Sequence, residues 1–311
     1  RSWRSREKTG TNSTAGGIWI SEPMLHKVPT SPFRARLLEV VELQRRLIAG
    51  LCALDESTVV DFAWLTATWA ELDTEWRLRF WKNGNRAECC QKIGAASALL
   101  KQEILGLMGE QMRFPELYAD PPAVRLRKVS WTVPKNAAGA EKLRHETLAA
   151  VRSLLESFYD PLFYQKEGYP NADGTRFHKD QFIGKPKICP YSDNLIQDAK
   201  LDHFLPKETF PFLSCHPDNL IPCSSDPNSV GRKGNTIPLE FGDHDQAAEW
   251  FHPRIRPARD RYGLEFDSTN ADGPRVRFVA HFAADQPRLE RMADLFGLVD
   301  FWSRDLDDEL Q

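Results

Sequence analysis

Apolar residues recur at every third or fourth position through much of the first half of the chain. This spacing places them on one face of an α-helix. The first segment begins at Ser31-Pro32, where Ser is a good helix cap and Pro suits the first turn. The second segment ends near Asn83-Gly84, a pair that favours a helix end. Helices are therefore predicted over 31–51, 55–84, 86–112 and 138–159, with a short strand or extended link over 128–133.

These segments together predict a helical domain over 31–165, preceded by an irregular arm over 1–30. The arm is rich in Ser, Thr, Gly and Arg and has no clear period. Four tryptophans of the helical domain could form an aromatic platform for a ligand, but their spacing follows the helix face, which favours packing in a core. They are Trp64, Trp69, Trp76 and Trp81.

Beyond the helical domain the pattern changes to glycine, proline and short alternating runs, which indicates a second domain over 166–311. Two runs near its end alternate between apolar and polar positions around a segment with turn chemistry, and this predicts a β-hairpin. The order of helices and strands indicates the α+β fold class. The predicted C-terminal elements are a hairpin over 262–282 with its turn at 270–273, a closing helix from Asp285 and a frayed acidic tail from Asp305.

Composition restricts the class of protein but does not choose a function. The 311 residues are 41% hydrophobic and 27% charged, as in an ordinary globular protein, and no run of about 18 apolar residues is present for a membrane helix. The first residues are basic and polar and lack the apolar segment of a signal peptide. The six cysteines follow no secreted disulfide pattern, so a reducing cytoplasm is expected. The net charge of −3 does not indicate a strong free-standing nucleic-acid binder.

The candidate chemistry is concentrated in the second domain, beginning with Lys200-Leu-Asp-His-Phe-Leu-Pro-Lys207. Asp202-His203 lies in a short apolar frame that predicts the end of a strand. A histidine beside a carboxylate can act as a general base near neutral pH. The carboxylate oxygens suit a hard divalent cation. The pair is therefore a candidate for metal-assisted hydrolysis.

Two further polar positions follow, at spacings that predict a strand and then a helix. Asp218-Asn219 precedes the apolar run Leu220–Cys223, which is expected to pair with the first strand. A helix is then predicted from Asp226-Pro227-Asn228, with Asp as the cap and Pro in the first turn. Arg232-Lys233 comes next and is placed to contact phosphates.

This order, with Asp-His first, Asn in the middle and Asn on the helix, resembles the HNH endonuclease family, whose active site has a ββα-metal fold. The resemblance covers 189–235 and is strongest with bacterial members that have Leu-Asp-His-Phe-Leu-Pro-Lys followed by Pro-Xaa-Asn-Leu-Ile-Pro. Trp250-Phe-His-Pro253 and Leu295-Phe-Gly-Leu298 are also similar to the tails of that group. The resemblance implies a helical N-terminal domain followed by an HNH nuclease module with an extra hairpin and a C-terminal helix.

The HNH family cuts phosphodiester bonds with one metal ion, and the resemblance implies the same roles here. His203 would activate the attacking water, and Asp202 and Asn228 would hold one divalent cation, Mg²⁺ or Mn²⁺. Asn219 would fix the loop between the strands and help to orient His203. The metal would stabilise the developing charge and the leaving 3′-oxygen, which gives 5′-phosphate and 3′-hydroxyl ends.

Basic residues around this site are candidates for contacting the nucleic-acid backbone. Four arginines occur over 254–261 against Asp260, a cluster that could follow a phosphate backbone or form a solvated surface strip. His252 is expected to pack beside the active site or to be a hydrogen-bonded structural histidine. The candidate contacts are Lys207, Arg232, Lys233, Arg254 and Arg256.

Many HNH proteins brace the hairpin with a structural zinc held by two Cys-x-x-Cys pairs, and this chain departs from that pattern. Cys189 and Cys223 each occupy the first position of such a pair, but neither pair has its second cysteine. One alternative is a zinc site formed by Cys189 and Cys223 with Cys215 or His216. The favoured alternative is a zinc-free hairpin that depends on packing against neighbouring helices.

The expected function is therefore hydrolysis of DNA by a metal-dependent HNH endonuclease. The resemblance extends to nucleases of bacterial anti-phage systems of the Septu and retron types. It implies a larger ATPase or sensor protein as a partner that presents the DNA or restrains the nuclease. Two alternatives stay open: a catalytically silent HNH-like module that binds nucleic acid or scaffolds a complex, and an RNA-cutting toxin with the same chemistry.

Overall fold

The computed structural model describes residues 27–82, 84–120, 122–164, 168–170, 176–184, 186–192, 195–196, 198–225, 233–239, 250–267 and 275–310. Most of the predicted arm, the turn at 270–273, Asn228 and Arg232 lie outside these residues. The architecture is α+β, with a helical N-terminal region followed by short antiparallel hairpins and C-terminal helices.

Polar caps divide two of the helical segments that the sequence predicted as continuous. Asp73 Oδ1 accepts a hydrogen bond from Trp76 N at 2.8 Å, so a new helix begins at Thr74. Ser97 Oγ likewise accepts from Leu100 N at 3.4 Å and begins the helix that follows it. The helices of this region are α1 Arg34–Cys52, α2 Phe62–Thr68, α3 Thr74–Lys82, α4 Arg86–Gly94, α5 Ala98–Met112 and α6 Gly139–Ser157.

The strands pair as separate antiparallel hairpins. The first joins β1 Tyr169–Pro170 to β2 Arg176–Phe177, the second joins β3 Lys200–His203 to β4 Leu220–Cys223, and the third joins β5 Tyr262–Asp267 to β6 Arg275–Ala280. The third is the hairpin that alternation predicted. Residues 128–133 form an extended link and no strand.

The closing helix is divided in two, and its acidic end is helical. The remaining helices are α7 Lys179–Ile183, α8 Gln286–Phe296 and α9 Leu298–Leu310. Gly297 ends α8 with a φ of 59°, a left-handed conformation that favours glycine. The prediction that the tail frays from Asp305 is wrong, because the buried Leu298 and Trp302 anchor α9, which packs against β6.

Two hydrophobic cores connect the helical region to the residues after 165. Phe212 and Leu220 of the second hairpin and its loop pack with the N-terminal helices in the first core. Phe114 and Tyr118, just after α5, pack with β5, β6 and α8 in the second core. The predicted boundary at 165 is therefore crossed by both cores.

The tryptophans of the helical region belong to the first core. Trp69 and Trp76 are fully buried there, and Trp64 and Trp81 pack against it. The prediction that these tryptophans pack in a core, and do not form an aromatic platform for a ligand, is confirmed.

In the ranges that the structure describes, no helix has both the length and the apolar character to cross a membrane.

Candidate functional site

The β3–β4 hairpin brings the first predicted site residues to one end of a strand pair. In the antiparallel register Asp202 lies opposite Ile221 and His203 lies opposite Leu220. Residues 204–219 form the loop between the strands. Asp202 and His203 are therefore the last residues of β3 before this loop begins.

Asn219 closes the loop from its far end. Its Oδ1 accepts a hydrogen bond from Leu205 N at 2.8 Å, and its Nδ2 donates to Leu205 O at 3.0 Å. Nδ2 also donates to Leu213 O at 3.2 Å, and the side chain is fully buried. These bonds hold the backbone that directly follows His203, so Asn219 fixes the loop.

Replacing Asn219 by Ala is expected to lower the free energy of unfolding by about 2–3 kcal/mol, because Leu205 and Leu213 would keep buried backbone groups without partners. Urea denaturation followed by fluorescence measures this change. Asn235→Ala is the matched control, since Asn235 is exposed and the change there should stay below about 0.5 kcal/mol. Equal stability of the two variants would contradict the role of Asn219.

The His203 ring is held from two sides. Its Nε2 lies 2.9 Å from Ser214 O, and Tyr159 of the helical region contacts the ring edge-on, with 4.4 Å between the ring centroids. A carbonyl oxygen only accepts hydrogen bonds, so Nε2 carries the proton and Nδ1 keeps its lone pair. Burial lowers the pKa of His203 to about 4, and the opposing effect of the Ser214 carbonyl is smaller. The ring is therefore neutral at neutral pH.

Three helices fix the loop that holds His203. Ser214 Oγ donates to Leu155 O of α6 at 3.1 Å, and Gln44 Nε2 of α1 donates to Ser214 Oγ at 3.1 Å. Phe212 N donates to Gln111 Oε1 of α5 at 3.1 Å. The helical region thus sets the position of the Ser214 carbonyl and, through it, the orientation of the His203 ring.

An ion pair adds a further link between α1 and this loop. Arg34 Nε donates to Asp218 Oδ1 at 3.0 Å and Arg34 Nη2 donates to Asp218 Oδ2 at 2.6 Å. Burial alone would raise the pKa of Asp218, but the Arg34 guanidinium and nearby positive charges outweigh it and the pKa lies below its usual value. Such a two-bond pair fixes geometry as well as charge.

Asp202 is nearly inaccessible and both of its oxygens have partners. The residue is 4% exposed. Its Oδ2 accepts a hydrogen bond from Tyr191 OH at 2.7 Å, and its Oδ1 accepts one from Lys233 Nζ at 3.0 Å. Lys233 Nζ also donates to His203 O at 2.8 Å. The charge of Asp202 is therefore balanced by a buried ammonium.

This arrangement does not fit the divalent cation that the HNH resemblance implies. Of the two predicted ligands, Asn228 lies outside the described residues, and Asp202 is bound to Lys233. Among the described residues, no group of three or more His, Cys, Asp or Glu is placed to hold a metal. A divalent ion on Asp202 Oδ1 would lie roughly 4 Å from the ammonium, and at an effective dielectric constant of about 20 the repulsion would be about 8 kcal/mol.

A small cleft of about 220 Å³ opens beside the end of β3. Asp202, His203, Glu208, Gly234 and Asn235 are among the residues that line it. The volume is enough for water and a phosphate group, and too small to enclose a nucleotide.

The residues that were predicted to contact nucleic acid differ in exposure and in the partners that they bind. Lys207 lies near the cleft and pairs with Glu208 at 2.6 Å. Lys233 is not at the surface, because its side chain is fully buried on Asp202. Arg254 donates to Pro29 O at 2.7 Å and to Leu220 O at 3.2 Å.

Arg256 also points into the protein. Its Nη2 donates to Tyr118 O and to Ala119 O, the latter at 3.3 Å, and its guanidinium lies 6.0 Å from the centre of the Tyr118 ring. Arg254 thus connects β4 to Pro29, ahead of α1, and Arg256 connects its own loop to the segment that follows α5. Backbone carbonyls hold both guanidinium groups, and a role in phosphate contact stays a prediction. Burial lowers the pKa of Arg254 to about 10, which accords with this internal position.

Of the three cysteines considered for a zinc site, Cys189 and Cys223 lie near each other, and Cys215 belongs to a different core. Cys189 and Cys223 belong to the second core, whereas Cys215 belongs to the first. All are buried free thiols. Burial raises the pKa of Cys215 and of Cys223 far above the usual thiol value.

Sequence analysis missed the partners of Asp202 and His203. Tyr191 and Lys233 are polar residues within 189–235, the segment that carries the resemblance. No sequence pattern indicated that their side chains are buried. Ser214 and Gln44 gave no local signal, because the hydrogen bond between them joins residues 170 positions apart.

Comparisons with known proteins give little support for any family. No family model matches the chain, and no solved structure matches it. A segment of 109 residues, 35% of the chain, is 29% identical to Protein ea31 of Escherichia phage lambda. The same segment is 35% of that phage protein, so the chain spans about a third of the length of the curated relative that it matches.

Proposed function

We propose that this chain hydrolyses phosphodiester bonds of DNA, with His203 as the general base. The observation that carries the proposal is the hydrogen bond from His203 Nε2 to Ser214 O, which assigns the proton to Nε2 and leaves Nδ1 as the basic nitrogen. The ring belongs to a residue that lines a cleft of phosphate size. The resemblance of 189–235 to HNH endonucleases supplies the reaction class.

The chain's own residues account for the proton transfer. Nδ1 of His203 takes a proton from water while the water oxygen bonds to phosphorus, the P–O3′ bond breaks, and the leaving oxygen takes a proton from solvent. The Ser214 carbonyl holds the ring and stabilises the imidazolium that forms. Asn219 and the helices keep the loop rigid, which a near-attack geometry requires. These steps use no metal, because Asp202 is already bound to Lys233.

The second candidate is a catalytically silent HNH-like module that binds nucleic acid or scaffolds a complex. The buried Asp202–Lys233 pair favours it, since the residue that binds metal in the resembling family is not open to an ion. A larger ATPase or sensor protein as a partner, as in anti-phage systems, is proposed for both candidates.

A nicking assay on supercoiled plasmid separates the candidates. The full chain is incubated with the plasmid and, separately, with a folded RNA, in Mg²⁺, in Mn²⁺ and in EDTA. The first candidate expects open-circular DNA with wild type and none above background with His203→Ala. Equal amounts of product from both proteins would mean that the activity does not come from this site, and cutting of RNA alone would make the chain a ribonuclease.

A further inference from the structure

Lys233 is the least expected residue of the site, because it places a positive charge in the interior. Its side chain is 0% exposed and its Nζ contacts Asp202 Oδ1 at 3.0 Å and His203 O at 2.8 Å. A lysine is almost never fully buried unless it is paired. Here it is paired with the carboxylate that the HNH pattern assigns to a metal.

We propose that the Lys233 ammonium takes the place of a divalent cation as the counter-charge of Asp202, so that Lys233 and a divalent ion exclude each other there. The inference rests on the proposed function for the identity of the site, but its chemistry concerns cation binding. It assigns a resident, covalently tethered cation to a position where the resembling family places an exchangeable one.

The oxygens that Lys233 contacts are those that a hard cation would choose. Carboxylate and backbone carbonyl oxygens are the preferred ligands of Mg²⁺ and Mn²⁺. Asp202 Oδ1 and His203 O both bind the same ammonium, and Tyr191 OH occupies Asp202 Oδ2. An ion would have to remove the ammonium from at least one of these oxygens, or share a low-dielectric space with a like charge.

The backbone around Lys233 holds the ammonium in place. Lys233 O accepts a hydrogen bond from Thr236 N at 2.7 Å, which closes a tight turn over Lys233-Gly-Asn-Thr236. Gly234 has a φ of 45° in this turn, a left-handed conformation that a side chain would strain. This turn fixes the backbone of Lys233 at a position from which its side chain reaches Asp202.

The test measures Mn²⁺ binding to the full chain by electron paramagnetic resonance, without nucleic acid. Wild type is expected to show no saturable binding that depends on Asp202. Lys233→Met is expected to bind Mn²⁺ about tenfold or more tightly than wild type, because the competing charge is gone. Asp202→Asn in the Lys233→Met background should remove that gain. Lys200→Met, which removes an exposed lysine from β3, is the matched control and should behave as wild type.

Wild type remains decisive if Lys233→Met does not fold, since loss of one partner of a buried pair is destabilising. Saturable Mn²⁺ binding by wild type that disappears in Asp202→Asn would overturn the proposal, and so would a folded Lys233→Met with unchanged affinity. Absence of Asp202-dependent binding in wild type supports it. Melting curves with and without Mn²⁺ give a second readout, because an ion bound only to the native state raises Tm.

The outcome for Lys233 can be distinguished from the outcome for the nuclease. If no variant cuts nucleic acid but Mn²⁺ binds as expected, the proposed function fails and the assignment of Lys233 stands. If wild type cuts DNA and binds Mn²⁺ through Asp202, the function stands and the assignment of Lys233 fails.

Discussion

His203→Ala is expected to nick supercoiled plasmid about 100- to 10,000-fold more slowly than wild type, the usual contribution of a positioned general base. The variant removes Nδ1, the nitrogen that would accept the proton from water. It also removes the Nε2 donor to Ser214 O and the ring that Tyr159 contacts. A decrease in rate must therefore be separated from a decrease in stability.

His203→Gln makes that separation possible. A glutamine amide can still donate to the Ser214 carbonyl, but it cannot act as a base at neutral pH. Its Tm should lie closer to that of wild type than the Tm of His203→Ala, while its nicking rate should be as low as in His203→Ala. His281→Ala is the control for histidine removal, since His281 is exposed and far along the chain. Wild-type rates in His203→Gln would exclude His203 as the base.

Lowering the pH from neutral to about 5 is expected to remove about 6 kcal/mol from the free energy of unfolding. Three buried histidines cause the change. Burial lowers the pKa of His203 and of His216 to about 4 and the pKa of His252 to about 3, against an ordinary value of 6.5. The unfolded chain therefore binds more protons below pH 6.5 than the native protein does. The stability from each neutral ring is complete above pH 6.5 and decreases as the pH falls towards 4, by about 2 kcal/mol each at pH 5.

The surroundings of His216 and His252 explain why these two rings stay neutral. His252 is 0% exposed, and its Nδ1 accepts hydrogen bonds from the backbone N–H groups of Arg254 and Ile255, both at 3.2 Å. Of the two alternatives given for His252, the structure therefore shows the hydrogen-bonded structural histidine. The charged groups nearest these rings include Asp218, which favours protonation, and Arg34 and Arg254, which oppose it.

Urea denaturation at a series of pH values between 7.5 and 4.5 measures this dependence. His252→Gln keeps an acceptor for the two N–H groups but cannot titrate, so its stability should fall about two thirds as steeply with acidification. His281→Gln is the control for replacing an exposed histidine. Identical slopes for wild type and His252→Gln would show that His252 does not carry the effect.

The parts of the site that the sequence predicts are those that depend on neighbours in the chain. Asp202 and His203 share a strand, and Asn219 precedes the strand that pairs with it, so their order alone indicates where they meet. The helix breaks at Asp73 and Ser97 could also have been predicted, because each residue is a good cap in front of an apolar run. The apolar spacing continues on both sides of each cap, so it predicted one continuous helix in each case.

The remaining parts depend on distant contacts that no local pattern encodes. Gln44 reaches Ser214 only after α1 and the loop have packed together. Lys233 was predicted to face solvent, since a lysine beside an arginine resembles a basic patch, but a tight turn directs it inward. Arg254 and Arg256 were predicted at the surface for the same reason, and backbone carbonyls of other segments bind them instead.

Because two cores cross residue 165, the second half of the chain is unsuitable for transfer to another protein as a separate fragment. Leu201, Phe212 and Leu220 of the hairpin and its loop are buried by α-helices that come earlier in the chain. A fragment of 166–311 fused to a foreign DNA-binding protein would present these side chains to water and would lose the Gln44 and Leu155 contacts to Ser214. To transfer this site to another protein, the whole chain would have to be fused, and not its second half alone.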